Sequence, residues 1–155
     1  MSTTYDTLPE KPRPLTTPAN EPYWPVLREH RLLIQRCSGC GKRRHSPRPM
    51  CDACYSMDYD WHEIDGNGTV YSWAITHHPF HPAFKRDVPY VTVTAELGDG
   101  IRIQAPLAGN DAGGLAIGAA VEVGFIDIDP ALTLPALRLA GACGGPVSTG
   151  KKRRY

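Results

Sequence analysis

The clearest periodic pattern runs from Tyr90 to Leu97. Val91, Val93, Ala95 and Leu97 fall on one face, and Thr92, Thr94 and Glu96 on the other. An alternation of period two is the signature of a half-buried β-strand. Residues 59–65, 69–78, 101–107, 120–128 and 132–139 are further short apolar-rich runs. Turn signals separate them: Gly66-Asn67-Gly68, Gly98-Asp99-Gly100 and a Gly-rich stretch at 109–118. Five or six short strands punctuated by glycine predict a small closed or nearly closed barrel. Upstream, LLIQR at 32–36 reads as one more strand. Residues 22–31, PYWPVLREHR, read as a short helix, and the Gly-rich stretch at 109–118 has room for one helical turn. Pro22 and Pro25 are tolerated in a first turn, whose N–H groups have no internal partner. Trp24, Leu27 and Arg31 then line one side of a short helix.

This pattern divides the chain into four parts. Residues 1–20 read as a disordered arm, because Pro9, Pro12, Pro14 and Pro18 stand among few apolar residues. Residues 21–60 hold the helix and a cysteine-rich ribbon, residues 61–140 the barrel, and residues 141–155 a flexible tail. Composition agrees with a mainly β chain. The 155 residues include 15 prolines, about twice the usual ~5%. No apolar run approaches the ~20 residues that span a bilayer. The first residues carry no apolar stretch behind a basic start, so the expected location is the cytoplasm. In a reducing compartment, paired cysteines point to metal rather than disulfides.

Those cysteines are Cys37, Cys40, Cys51 and Cys54, in the order CSGC, ten residues, CDAC. Each Cys-x-x-Cys folds into a tight knuckle that aims two sulfurs at one metal, and Gly39 and Gly41 loosen the first knuckle. Four thiolates form a closed tetrahedral site of the structural kind, with no position left for a substrate. Zinc is the expected ion. Iron in a rubredoxin-like site is the next candidate, and a redox dithiol the last. The fifth cysteine, Cys143, has no His or acid nearby in sequence and reads as an inert thiol.

Charge is uneven although the net charge is +1. Residues 28–48 hold seven basic side chains against the single acid Glu29, whereas residues 60–129 hold ten acidic against three basic. Arg43, Arg44 and Arg48 are the candidates for contact with phosphates, with solubility the plainer explanation. His77, His78, Phe80, His81 and Phe84 cluster after a strand. They suit a pocket rim in which a histidine handles a proton. They suit better a proline-stiffened loop packed on the barrel or on another subunit. Tyr71, Trp73 and Ile75 share one face of their strand. Base stacking is one use for such a face, but the acidic barrel opposes nucleic acid. Filling the barrel or an interface is the preferred reading.

Taken together, PYWPVLREHRLLIQRCSGCGKRRHSPRPMCDAC, GNGTVYSWAITHHPFHPAF, VPYVTVTAEL, IGAAVEVGFIDID and TLPALRLA resemble a known family over about residues 21–140. Its members are bacterial and archaeal OB-fold proteins with an N-terminal rubredoxin-like zinc ribbon, associated with acyl-CoA metabolism and long known as a domain of unknown function. The resemblance implies a short helix, a four-cysteine zinc ribbon and a five-stranded OB barrel. It also implies a hetero-oligomer with a thiolase-like or lipid-transfer-protein-like enzyme. Such partners act on acyl-CoA thioesters by thiolysis, acyl transfer or retro-aldol cleavage of steroid side chains. The small subunit would scaffold the assembly and help to hold CoA, with the catalytic groups on the partner. Arg43, Arg44 and Arg48 would then meet CoA phosphates or acidic partner surface. The His77–Phe84 loop would line the interface near an acyl channel. Two other functions compete: a single-stranded nucleic-acid-binding module, and a stand-alone enzyme using His77, His78 and His81.

Overall fold

The computed structural model describes residues 8–141. A short helix α1 (Tyr23–Arg28) leads into β1 (Leu32–Cys37), β2 (Arg43–Arg44) and β3 (Tyr59–Ile64). These strands form an antiparallel sheet of order β2-β1-β3. A second sheet holds β4 (Asn67–Thr76), β5 (Tyr90–Leu97), β6 (Ile101–Pro106), β7 (Ala120–Asp129) and β8 (Leu132–Leu139), in the order β6-β5-β4-β7-β8. Its two ends meet just past β6, where Leu107 bridges in parallel to Leu137 and the Ala108 N–H donates to the Leu137 carbonyl at 2.7 Å. The five strands thus make the nearly closed barrel the sequence predicts.

Burial follows the alternation. On β5, Val91, Val93, Ala95 and Leu97 are buried, and on β6 Ile101, Ile103 and Ala105 repeat the pattern. Val70, Val121 and Leu137 complete the barrel interior, and Tyr23 and Leu27 of α1 with Leu32 and Ile34 of β1 join the same apolar cluster. The ribbon sheet and the barrel therefore share one core. A hydrophobic term on the order of 1.5–3 kcal/mol per buried aliphatic side chain holds them together. Close approach also dictates a residue at Gly68: a Cβ there would lie 2.4 Å from the Glu96 carbonyl oxygen. Only glycine lets β4 cross β5 at that distance.

The helix is shorter than residues 22–31 suggest. His30 enters the left-handed region at φ 57°. Its N–H bonds the Leu27 carbonyl and that of Arg31 bonds the Val26 carbonyl. This is a Schellman stop, usually made by glycine. The His30 ring stacks on Phe125 at 5.2 Å and its Nε2 contacts Asp127 at 3.0 Å, so tertiary contacts hold the unusual conformation.

Two further expectations change. A bulge on β4 places Val70 opposite Ala95, Ser72 opposite Thr94 and Trp73 opposite Val93. The extra residue shifts the phase of the strand, so Tyr71 does not share a face with Trp73 and Ile75. Tyr71 lies instead under the Arg102 guanidinium, 3.5 Å from its ring centre. None of the three fills the barrel, for all are exposed. Residues 8–20, read as part of a disordered arm, lie against the fold. Lys11 is buried, 2.6 Å from Asp87 and over the Phe84 ring. Arg13 bonds Asp129, and the Ala19 carbonyl accepts from Gln35 Nε2 at 3.0 Å. Specific polar anchors order this stretch where apolar content does not. Cys143 and residues 142–155 of the expected tail lie outside the described residues.

Candidate metal centre

Each Cys-x-x-Cys is closed by the same pair of backbone bonds. The Gly41 N–H donates to the Cys37 carbonyl, and the Cys37 N–H to the Lys42 carbonyl, both at 2.9 Å. In the second knuckle Tyr55 N–H donates to Cys51 (3.0 Å) and Cys51 N–H to Ser56 (2.9 Å). The fourth residue after each first cysteine takes a positive φ: 73° at Gly41 and 61° at Tyr55. The two hairpins are therefore local copies, and they bring their sulfurs face to face. Cys37 Sγ lies 3.5 Å from Cys54 Sγ, and Cys40 Sγ 3.7 Å from Cys51 Sγ. All four sulfurs lie within 4.8 Å of one another.

A tetrahedral ion with ~2.3 Å metal–sulfur bonds sets sulfurs roughly 3.8 Å apart, so this set fits such an ion. The electrostatics agree. Backbone N–H groups, of Cys40 first for Cys37 and of Ala53 first for Cys51, hold these two thiols down, Cys51 to about 6. At Cys54 the N–H of Ser56 also pulls down. Hydrogen bonds shared with the other three cysteines outweigh it and push the thiol up to about 12. All four sulfurs ionise together only with a cation between them. With four sulfurs occupying a tetrahedral ion, no coordination position remains for a reacting group.

The structure separates the predicted arginines. Arg44 is buried; its Nε donates to Gln35 Oε1 at 2.8 Å, and one terminal nitrogen donates to the Arg48 carbonyl at 3.0 Å. Its guanidinium lies over Tyr59. Held in this way, it ties the long loop between the knuckles to the sheet. Arg43 and Arg48 are exposed, and Arg48 lies 3.9 Å from Asp52. Lys42 pairs with the same carboxylate at 2.8 Å and holds its pKa down.

Gln35, which sequence reading passed over, is the hub. Fully buried, it accepts from Arg44 and from the Arg48 N–H, and donates to the arm. A lone amide inside LLIQR was the available signal. His45 was missed as well. Its Nε2 lies 3.1 Å from the Tyr23 hydroxyl at the join of ribbon and barrel. Burial pushes its pKa down to about 4, against a backbone hydrogen bond with Arg102.

The histidine loop is split in the same way. His81 Nδ1 accepts from the Ala83 N–H at 3.2 Å and caps a 3-10 turn over Pro82–Phe84. Phe84 packs edge-on to His81 and beside Tyr90. His77, His78 and Phe80 face solvent, Phe80 almost completely. Elsewhere, Thr133 Oγ1 donates to Asp127 Oδ1 at 2.7 Å and Asp127 meets His30, beside a cleft of about 520 Å³. The carboxylate stands between hydroxyl and imidazole, so the imidazole has no nucleophile to activate.

A four-thiolate ribbon joined to a five-stranded barrel defines a rubredoxin-like ribbon with an OB fold. Comparison with known proteins agrees. Residues 24–60 match the model of the ChsH2 rubredoxin-like zinc ribbon domain, and residues 61–125 that of the ChsH2 C-terminal OB-fold domain. A solved structure described as "Ltp2-ChsH2(DUF35) aldolase" is 41% identical with a TM-score of 0.72, covering 83% of this chain and 99% of that one. The chain belongs to this ChsH2 (DUF35) family. A "Probable enoyl-CoA hydratase alpha subunit" of Thermomonospora curvata is 41% identical over 130 residues, which are 84% of this chain and 40% of that protein. The "3-oxo-4,17-pregnadiene-20-carboxyl-CoA hydratase alpha subunit" of Mycobacterium tuberculosis is 35% identical over 105 residues, 68% of this chain and 33% of that one. The chain thus spans well under half the length of these two relatives. Among the described residues, no helix is long and apolar enough to cross a membrane.

Proposed function

We propose that this chain is an accessory, scaffolding subunit of a cytoplasmic acyl-CoA-processing complex, and that a thiolase-like partner carries the chemistry. The observation that carries the reading is the set of four sulfurs within 4.8 Å of one another, a closed structural site that clamps the ribbon beside the barrel. The names of its relatives support the choice of partner and substrate class: an aldolase with Ltp2, and hydratase subunits acting on CoA esters, one of them steroidal. The reaction proposed for the complex is carbon–carbon cleavage or acyl transfer on a CoA thioester, with steroid side-chain retro-aldol cleavage foremost.

In this reading zinc is the ion at Cys37, Cys40, Cys51 and Cys54. Zinc has no redox chemistry to offer and suits four thiolates in a purely structural role. The ion fixes the loop that presents Arg43 and Arg48. These two remain candidates for CoA phosphates or an acidic partner surface, since guanidinium groups match phosphate oxygens in pairs. His77, His78 and Phe80 face the partner, while His81 and Phe84 shape their loop. Binding of single-stranded nucleic acid is disfavoured by the acidic barrel, where Arg102 pairs with Glu96 and covers Tyr71.

Co-expression with the thiolase-like subunit tests the reading. The two chains should co-purify at fixed stoichiometry with one zinc per copy of this chain. Separate elution of the two would refute it.

A further inference from the structure

Both edges of β4 are covered over its first half only. Asn67, Gly68 and Thr69 pair with β7, and Val70 exchanges backbone bonds with Gly118 and Ala119 at 2.9 and 2.8 Å. Over residues 72–76 the strand pairs with β5 alone among the described residues. The ladder fixes which groups are left open. The Val91 carbonyl accepts from the Leu107 N–H at 2.9 Å, and its N–H donates to Asn110 Oδ1 at 2.6 Å. Both point away from β4. Ile75, opposite Val91, therefore sits at a non-hydrogen-bonded position of the β4–β5 ladder, and by alternation so does Trp73 opposite Val93. The N–H and C=O groups of Trp73 and Ile75 face the open edge.

Their side chains tell the same story. Trp73 and Ile75 stand on the face of buried Val93 and Val91, yet they are 37% and 45% exposed. Ile117, next to Gly118 where β7 departs, is 69% exposed. Natural edge strands are guarded by lysine, proline or a bulge. Residues 69–76 carry no charge and no proline, and the bulge lies before the open segment. Residues 72–76, uncharged and open along one edge, are a template for another strand.

We propose that a strand of the partner subunit adds to β4 alongside residues 73–75, seating apolar side chains on Trp73 and Ile75. This rests on the accessory-subunit reading and names the surface that reading needs. A strand fits because only extended backbone satisfies an open row of N–H and C=O groups. Charge selects the partner over a second copy of this chain. Lys85 stands in the loop between β4 and β5, and Asp87 is taken by Lys11. Residues 69–86 contain no carboxylate to meet Lys85 in a self-pair, whereas a partner strand flanked by Asp or Glu complements it.

Amide exchange, read residue by residue on the free chain and on the co-purified complex, tests this. In the free chain the Ser72 and Ala74 amides, bonded to β5, are protected and those of Trp73 and Ile75 exchange freely. In the complex the Trp73 and Ile75 amides should slow by about tenfold or more. Ile75→Lys, which guards the edge without touching the β5 ladder, should weaken association by about tenfold or more and leave the zinc content of the free chain unchanged. A complex in which these two amides exchange as in the free chain would overturn the docking site but not the accessory reading. Absence of any complex overturns both. Protection of Trp73 and Ile75 in a free chain that sediments as a dimer would replace the partner strand with a second copy.

Discussion

Lowering the pH should loosen the join between ribbon and barrel through His45. Its ring is half-buried beside Tyr23, and desolvation pushes its pKa from 6.5 down to about 4. The folded protein therefore keeps the ring neutral where the unfolded chain already binds a proton. Stability is complete above pH 6.5 and is lost as pH falls from there toward about 4. One proton over that interval amounts to about 3 kcal/mol, of which about 2 kcal/mol falls between pH 7 and pH 5. That window lies above the range where most carboxylates titrate. Proton competition for the thiolates also acts there, so the signal is a difference. Urea midpoints of the wild type and of His45→Gln, both zinc-loaded, should be compared at pH 7 and pH 5. The wild type should lose about 2 kcal/mol more than the variant. An equal loss in both proteins would refute the claim that His45 is held neutral by burial.

Ile103→Ala, at a fully buried site of β6, should cost about 2–5 kcal/mol in chemical denaturation. A much smaller loss would mean that the barrel interior is poorly packed. Lys11→Ala leaves Asp87, only 18% exposed, without its cation. It should cost about 3 kcal/mol, and Asp87→Asn added to it should restore part of that. Strong chelation should unfold the ribbon, deprotecting the Ile34 and Gln35 amides while those of Ile103 and Leu137 stay protected. Uniform loss across both sheets would instead show that the shared core cannot stand without the ion.

The strands that read most clearly in sequence bury one face against one partner set. Val91 through Leu97 alternate because β5 lies between β4 and β6 with one face inside. The four cysteines were equally legible, because a metal site needs only ligand type and spacing. What escaped the reading depends on distant contacts. The bulge at Tyr71 is set by the register with β5, and it moves Tyr71 to the other face from Trp73. Arg44 looks like its neighbours Arg43 and Arg48, but its strand places it opposite Gln35 across the sheet. Residues 8–20 are too proline-rich to order themselves, and Lys11 finds Asp87 only once the loop after β4 is in place. The histidine loop could not be apportioned between structure and interface until His81 was seen capping its own turn.

The central claim is that this chain completes a partner's activity without supplying the chemistry. Titrating the purified chain into a fixed amount of the thiolase-like subunit, with turnover of a steroid side-chain CoA ester as readout, tests it most directly. Activity should be absent from either chain alone, rise linearly with added chain and stop at a fixed ratio. Cys37→Ser should shift or abolish that rise. Full turnover by the partner alone, or turnover by this chain alone, would contradict the account.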